Sequence, residues 1–403
     1  MPKRNRRPKT RRRDSRQLQR TAPQRSRRRD EPDLVVEVAA ALDDGAPLAL
    51  LGLVSSLLAA LDPRRRSPFE RAPDPEFPSR EKLIDTFLDV KLEETSALLA
   101  VIAGLSGDEM LRRRVQREIT ARGHALPAWL AELHQARPVD RAVEVVHVLG
   151  DGDNLIVGAR LPGGHELTAV VYIDHNMGTL VKDAFVVGEP LPALIEQMMS
   201  VDANPDIVAR DLGPADARVR ITEAIERGAI TFPPCETDTW PACRPLVEWI
   251  IGMLPDAGIG YQRPEWDDAA RDDLAEQFLA SPFGAGFDDD DHRALLGSLL
   301  WFGTDYGPGD PLRWSPTAVE ILLADWIPRK IVAPAARLAK APDLLRSFIR
   351  FSHHERGIRP ALTDQTLAAV DEHEPDYQRV IRSPRPQGPA ALLAAMDALD
   401  PGR

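Results

Sequence analysis

The residues best suited to chemistry in this sequence lie in a short turn, Asp174-His175-Asn176, between two β-rich runs. A histidine flanked by carboxylates can ligate a metal ion, or act as a general base whose pKa the carboxylates tune. Asp183, in the following run, could lie beside it, so Asp174, His175 and Asp183 are candidate catalytic residues. Asp, Asn and Gly are also the residues that a reversing turn requires, and turn formation is the simpler interpretation.

A second acidic group, Asp288 to Asp291 followed by His292, offers an alternative site for a divalent cation. Acidic residues there also complement the positive N-terminus of a predicted helix. The residues 353–355 (His-His-Glu) point about 100° apart from one to the next on a helix, so they cannot easily share one ion. Cys235 and Cys243 lack the C-x-x-C spacing of a structural zinc site. The sequence therefore predicts no bound metal and no cofactor.

The stretch Asp151-Gly152-Asp153-Asn154 matches only the start of a calcium loop. The EF-hand pattern needs an oxygen ligand at its fifth position and Gly at its sixth, where this sequence has Leu155 and Ile156. We interpret the stretch as a hairpin turn. The sequence contains no P-loop, G-x-G-x-x-G, H-E-x-x-H or G-x-S-x-G signature, which weakens the common nucleotide-binding, zinc-protease and hydrolase interpretations.

The strongest global feature is the distribution of charge. Residues 1–30 contain fourteen Lys or Arg and two Asp, a net charge of +12. Since the whole chain carries −11, residues 31–403 must carry −23. A basic arm on an acidic body indicates a nucleic acid or other polyanion as the partner of the arm. The arginines expected to contact it are Arg4, Arg6, Arg7, Arg11, Arg12, Arg13, Arg27, Arg28 and Arg29.

The elements that must position these residues begin with a sheet. Four β-rich runs between Arg141 and Gly188 are separated by DGDN, PGG and DHNMG turns, which predicts a four-stranded antiparallel meander. Val143, Val145, Val170 and Tyr172 alternate along their strands, as residues on one buried face should.

Helical patterns lie on both sides of that sheet. We predict a disordered basic arm over 1–31, a helical block over 32–137 with a Pro-rich linker at 63–79, the meander over 138–190, and a second helical block over 191–403 that packs on the sheet. The predicted N-cap residues of these helices are Ser79, Ser106 (with Glu109 in a capping box), Ser315 and Thr363. The apolar run 46–61 is short for a membrane span of about 20 residues, so we expect a buried core helix.

The predicted fold class is α+β, mostly helical with a small central meander. Two cysteines and the lack of an apolar stretch in the first thirty residues favour a cytoplasmic protein with no membrane contact. The leading hypothesis is a cytoplasmic binding or adaptor protein, whose arm contacts nucleic acid or another polyanion and which could also bind a protein partner. The alternative is a metal-dependent hydrolase with its site near residues 174–176 or 288–292.

Overall fold

The strands form one antiparallel sheet in the computed structural model, which describes residues 34–62, 79–201, 204–237 and 239–383. The strands are β1 (Arg137–His147), β2 (Gly152–Arg160), β3 (Glu166–Asp174), β4 (Leu180–Val187) and β5 (Ile207–Leu212). Their spatial order is β4-β3-β2-β1-β5. The α+β class and the meander are confirmed, but the predicted number of four strands is wrong.

The strand missed by the sequence pattern is β5, which pairs with the free edge of β1. It has only six residues, Ile207 to Leu212, and half of them are exposed. A helix separates it from β4, so no hairpin-turn sequence precedes it to indicate a strand. Short edge strands with charged residues are common in natural sheets because they discourage pairing with other chains.

Helices surround the sheet. Before it come α1 (Leu34–Asp44), α2 (Pro47–Ala60), α3 (Arg80–Asp89), α4 (Glu93–Leu105), α5 (Glu109–Arg122) and α6 (Ala128–Ala131). Next to β5 in the chain are α7 (Leu191–Val201), α8 (Pro214–Ala229) and α9 (Thr239–Gly252). The remainder are α10 (Asp268–Ala280), α11 (Asp290–Asp305), α12 (Pro316–Glu320), α13 (Ile327–Lys330), α14 (Ala335–Leu338), α15 (Ala341–Glu355) and α16 (Pro360–Arg382), with a π-helical stretch, Ile321–Trp326, joining α12 to α13.

Two large hydrophobic cores organise these elements. The first lies between one face of the sheet, through residues such as Leu155 and Val171, and helices α1 to α6, α8 and α9. The second is formed by α10 to α16 and centres on buried aromatic rings such as Phe278 and Phe348. The opposite sheet face, with Val143, buries a smaller cluster against α7. Packing therefore groups α8 and α9 with the sheet and leaves the later helices around their own core.

The apolar run 46–61 forms α2, which is a core helix as expected. Leu50, Leu51 and Val54 are fully buried in the first core. The buried Ser55 hydroxyl donates to Ala242 O at 2.8 Å and accepts from Leu246 N–H at 3.2 Å. The hydroxyl therefore lies between the Ala242 carbonyl and the Leu246 N–H, which are the partners of one i, i+4 hydrogen bond of α9 next to Pro245. None of the helices in the described ranges is long and apolar enough to cross a membrane.

The helix starts were predicted with mixed success. Ser79 and Ser315 cap α3 and α12 by accepting from Lys82 N–H and Ala318 N–H. The cap of α5 is Asp108, not Ser106, because the Asp108 carboxylate accepts two helix N–H groups. The predicted start of α16 at Thr363 is also wrong, since the helix begins at Pro360, a residue whose fixed φ suits a first turn.

Several predicted features lie outside the described residues. They are the basic arm 1–31 with all nine named arginines, the linker 63–79 apart from Ser79, and the last twenty residues, 384–403, of the second helical block.

Candidate functional site

The Asp174-His175-Asn176 turn joins β3 to β4 at one end of the sheet. His175 N–H donates to Asp151 O at 2.8 Å, and Asp174 Oδ1 accepts from Met177 N–H at 3.1 Å. Thr179, which closes the turn, has a positive φ of 59°. The turn has the short polar side chains that a tight reversal needs, and its hydrogen bonds hold the His175 backbone in one conformation.

The His175 side chain forms a buried pair with Asp153 on β2. The distance from His175 Nε2 to Asp153 Oδ2 is 2.7 Å, and the two residues are only 6% and 7% exposed. The other ring nitrogen, Nδ1, lies 3.3 Å from Thr179 Oγ1. Both imidazole nitrogens therefore have partners inside the protein, and the buried carboxylate fixes the orientation of the ring.

A second ion pair extends this network towards α8. Arg220 NH1 donates to Glu144 Oε1 at 2.6 Å, and its guanidinium lies 4.9 Å from the centre of the Tyr261 ring. The His175 ring meets the same tyrosine edge-on at 4.9 Å. Burial, and then the charge of Asp153, raises the pKa of Glu144. Burial also raises the pKa of Tyr261, so its phenol is neutral at neutral pH.

The other two predicted catalytic residues have different partners. Asp174 accepts from Lys182 Nζ at 2.9 Å, a hydrogen bond that raises the pKa of the lysine. Asp183 Oδ1 accepts from the hydroxyl of Thr237 at 2.6 Å and from that of Thr239, the first residue of α9. The structure thus brings His175 together with Asp153, whereas Asp183 fixes the segment that leads into α9.

Polar contacts also connect this end of the sheet to the second core. Asp151 Oδ1 accepts from Asn176 Nδ2 at 2.6 Å and from Ser315 Oγ at 2.5 Å. Arg313 NH2 donates to Asn176 Oδ1 at 3.2 Å. Ser315 is also the N-cap of α12, so the same hydroxyl joins a helix start to the β1–β2 turn.

The acidic group at 288–292 forms the start of α11. Asp289 is the N-cap, and hydrogen bonds from His292, first from its backbone N–H and then from its ring, lower the pKa of Asp289 to about 2. Asp288 pairs with Arg293 at 2.5 Å, and Asp291 pairs with Arg337 at 2.7 Å. Each of these three carboxylates has a hydrogen-bond or ion-pair partner, as helix-capping residues do.

The remaining candidate ligands are also dispersed. His353 is buried between Trp314 O at 2.9 Å and Thr363 Oγ1 at 3.0 Å, and burial lowers its pKa. Cys243 Sγ donates to Ala184 O at 3.0 Å. Within the described ranges, no three His, Cys, Asp or Glu side chains are grouped so that they could hold a metal ion.

A different surface gathers cations. Helix α5, with the sequence EMLRRRVQREITAR, carries five arginines and two glutamates. Val115 and Ile119 face the core, so Arg113, Arg114 and Arg117 lie on the exposed side. Two of the three have ion pairs, Arg113 with Glu109 and Arg114 with Asp85, but exposed pairs of this kind are weak. We call this surface the α5 face.

Asp153 was not predicted as the partner of His175, although the sequence holds a signal for this pair. If β2 and β3 pair across the PGG turn, residues equidistant from the turn lie opposite each other, and Asp153 then faces Ile173. His175 directly follows β3, two positions after Ile173, and its side chain lies on the same face as that of Asp153. Glu144, Arg220 and Tyr261 gave no comparable signal, since tertiary packing alone brings them together.

No protein-family model matches the chain, and comparison with curated proteins and with solved structures gives no significant match. The function must therefore be inferred from the residues of this chain.

Proposed function

We propose that the protein is a nucleic-acid-binding protein and that its basic arm, residues 1–30, makes the principal contact. The observation that carries this proposal is the segregation of charge, +12 on thirty residues against −23 on the rest of the chain. Arginine forms planar, bidentate hydrogen bonds with phosphate, and each neutralised phosphate releases condensed counterions. Binding of this type is independent of base sequence and falls steeply with salt.

The α5 face supports the proposal as a second contact. It presents Arg113, Arg114 and Arg117 together with the exposed Gln116 on one side of a helix. An α-helix fits the major groove of duplex DNA, where arginine and glutamine side chains reach base edges and phosphates. Because the body is strongly acidic, this face is too small to overcome the repulsion unaided, and the arm must supply most of the attraction.

The expected salt dependence of the affinity follows from counterion release. If the arm engages about six phosphates, the logarithm of the affinity for duplex DNA falls with the logarithm of salt concentration at a slope near −5. Each phosphate contact that is removed reduces the slope by about 0.9.

The test is a gel-shift titration on duplex DNA at two salt concentrations. We expect the full chain to bind with the steep slope, and a protein beginning at Glu31 to lose most of both affinity and slope. The variant Arg113→Gln/Arg117→Gln should make the slope less negative by about 1 to 2. The matched control, Arg329→Gln/Arg379→Gln, removes the same charge from exposed positions elsewhere and should leave the slope unchanged. Equal binding by the full chain and the shortened protein would overturn the proposal.

One observation favours a hydrolase as a second candidate function. The buried Asp153 carboxylate orients the His175 ring, as a carboxylate does for the general base of a hydrolase. This candidate is tested with chromogenic ester and phosphate substrates and the variant His175→Phe. Turnover that this variant abolishes while circular dichroism shows an intact fold would support it, and absence of turnover by the unaltered protein would exclude it for those substrates.

A further inference from the structure

A cavity of about 520 Å³ lies between the edge strand β5 and the helices of the second core. Four arginines line it: Arg210 on β5, Arg313 in the loop before α12, and Arg356 and Arg359 in the turn between α15 and α16. We call it the arginine pocket. Leu149, Leu312 and Ile358 form apolar parts of its wall.

Two of the four arginines are neutralised by carboxylates that also line the pocket. Arg359 Nε donates to the two oxygens of Asp206 at 2.7 and 2.8 Å, and Asp206 is almost fully buried. Arg356 NH2 donates to Asp310 Oδ2. Asp206 and Asp310 are the carboxylates among the lining residues, so two of the four lining arginines remain without a carboxylate partner in the lining.

The two remaining arginines are Arg210 and Arg313. Among the residues that the structure describes, neither has a carboxylate oxygen within 4.0 Å. Arg210 is exposed on the strand and lies opposite Glu144 in the sheet register. That glutamate forms its hydrogen bond with Arg220 instead. The side chain of Arg210 is therefore accessible to a ligand.

Arg313 is the more constrained of the two. Its NH1 lies close to Gly150: a Cβ atom added to that glycine would be 2.5 Å from Arg313 NH1. Its Nε is buried and has no hydrogen-bond partner within the described part of the chain. Burial lowers the pKa of Arg313, an effect opposed by Asp151 and Asp310, but a guanidinium stays protonated at neutral pH. A guanidinium with a buried, unsatisfied N–H donor is stabilised when an anion accepts from that donor.

We propose that the arginine pocket binds a small organic molecule that carries a phosphate group. The excess of two positive charges corresponds to a phosphate monoester, which carries about −1.5 to −2 at pH 7. The guanidinium groups of Arg210 and Arg313 match phosphate geometry. The pocket is several times larger than phosphate alone requires, and its apolar wall suits the organic part of the ligand. His353, buried and neutral, contributes no further charge.

This site does not depend on the basic arm. The arm is a chain segment that attracts polyanions by charge, whereas the pocket is a concave site with fixed arginines. A variant of Arg210 leaves the arm unchanged, so the two proposals can fail separately.

The experiment is calorimetric titration of the full chain with pyrophosphate and, separately, with citrate, at constant ionic strength. We expect saturable binding of pyrophosphate, with a Kd below about 1 mM, and weaker binding of citrate. The variant Arg210→Gln should weaken pyrophosphate binding about ten- to hundredfold, because one charge-assisted contact is lost. Arg210 is exposed, so this variant should fold normally.

The control is Arg329→Gln, which removes one positive charge from an exposed helix position outside the pocket. It should change the affinity by less than about twofold. Equal affinities of Arg210→Gln and Arg329→Gln would overturn the proposal, because binding would then occur at the arm or elsewhere. Tighter binding of citrate than of pyrophosphate would overturn the assignment to phosphate.

Discussion

The buried pair of Asp153 and His175 can be tested by a double-mutant cycle. Asp153→Asn retains the shape of the side chain but removes its charge, and His175→Phe retains a ring against Tyr261 but removes both nitrogens. The cycle compares the free energy of unfolding of the two single variants, the double variant and the unaltered protein.

The expected magnitudes follow from burial and from the 2.7 Å hydrogen bond. Hydrogen bonds to charged groups contribute about 1.5–3 kcal/mol, and a buried carboxylate that loses its partner costs at least as much. We therefore expect each single variant to lose about 2–3 kcal/mol of stability. The double variant should be less destabilised than the sum of the two, by a coupling energy of about 1–2 kcal/mol.

Urea unfolding, followed by far-ultraviolet circular dichroism, measures these differences. The control is a second cycle on Arg160 and Glu166, an ion pair on the same two strands in which the arginine is 57% exposed. Its coupling energy should be below about 1 kcal/mol. A coupling energy for Asp153 and His175 within the scatter of additive pairs, about 0.3–0.5 kcal/mol, would refute the conclusion that they form one unit.

Three further predictions concern the two cores and one helix cap. Phe278→Ala should lose about 3–5 kcal/mol in urea unfolding, because this fully buried ring contacts other aromatic rings of the second core, whereas Phe185→Ala, at a 45% exposed position, should lose far less. The pKa of Asp289 is lowered to about 2, so its ionised carboxylate stabilises the fold above about pH 4, and this stabilisation is lost as the pH falls towards 2. Asp289→Ala should therefore lower the urea midpoint at pH 7 but not near pH 2. An isolated fragment of residues 138–190 should show no cooperative thermal transition, because it lacks β5 and the helices α8 and α9 that cover the sheet.

The sheet was largely predictable because local patterns specify it. Turn residues separate the first four strands, and Val143, Val145 and Val170 do lie together on one face. The fifth strand pairs with β1, and β2, β3, β4 and α7 lie between the two in the chain, so a single sequence holds no local signal for the pairing. The helix starts depend on which of several neighbouring polar residues accepts the first N–H groups, and Asp108 does so where Ser106 was expected.

The site was less predictable because its members come from distant parts of the chain. His175 stood out by residue type, but its partner Asp153 belonged to a stretch that matched a hairpin turn equally well. The pocket arginines are separated by up to 149 positions, from Arg210 to Arg359, and no spacing rule connects them. Only the folded chain shows which arginines already have carboxylate partners and which do not.

The position of the arginine pocket suggests what its occupancy would do mechanically. The contacts between the sheet and the second core include polar ones, such as Ser315 with Asp151 and Arg359 with Asp206. Polar interfaces within a chain permit relative motion more readily than large apolar ones. A phosphate held by Arg210 and Arg313 would join β5 directly to the loop before α12. Ligand binding should therefore stabilise both cores together. In calorimetric unfolding, saturating pyrophosphate should raise the midpoint temperature of the transition and make the transition more cooperative. Two separate transitions, of which pyrophosphate raises only one, would contradict this coupling while leaving the binding measurement itself intact.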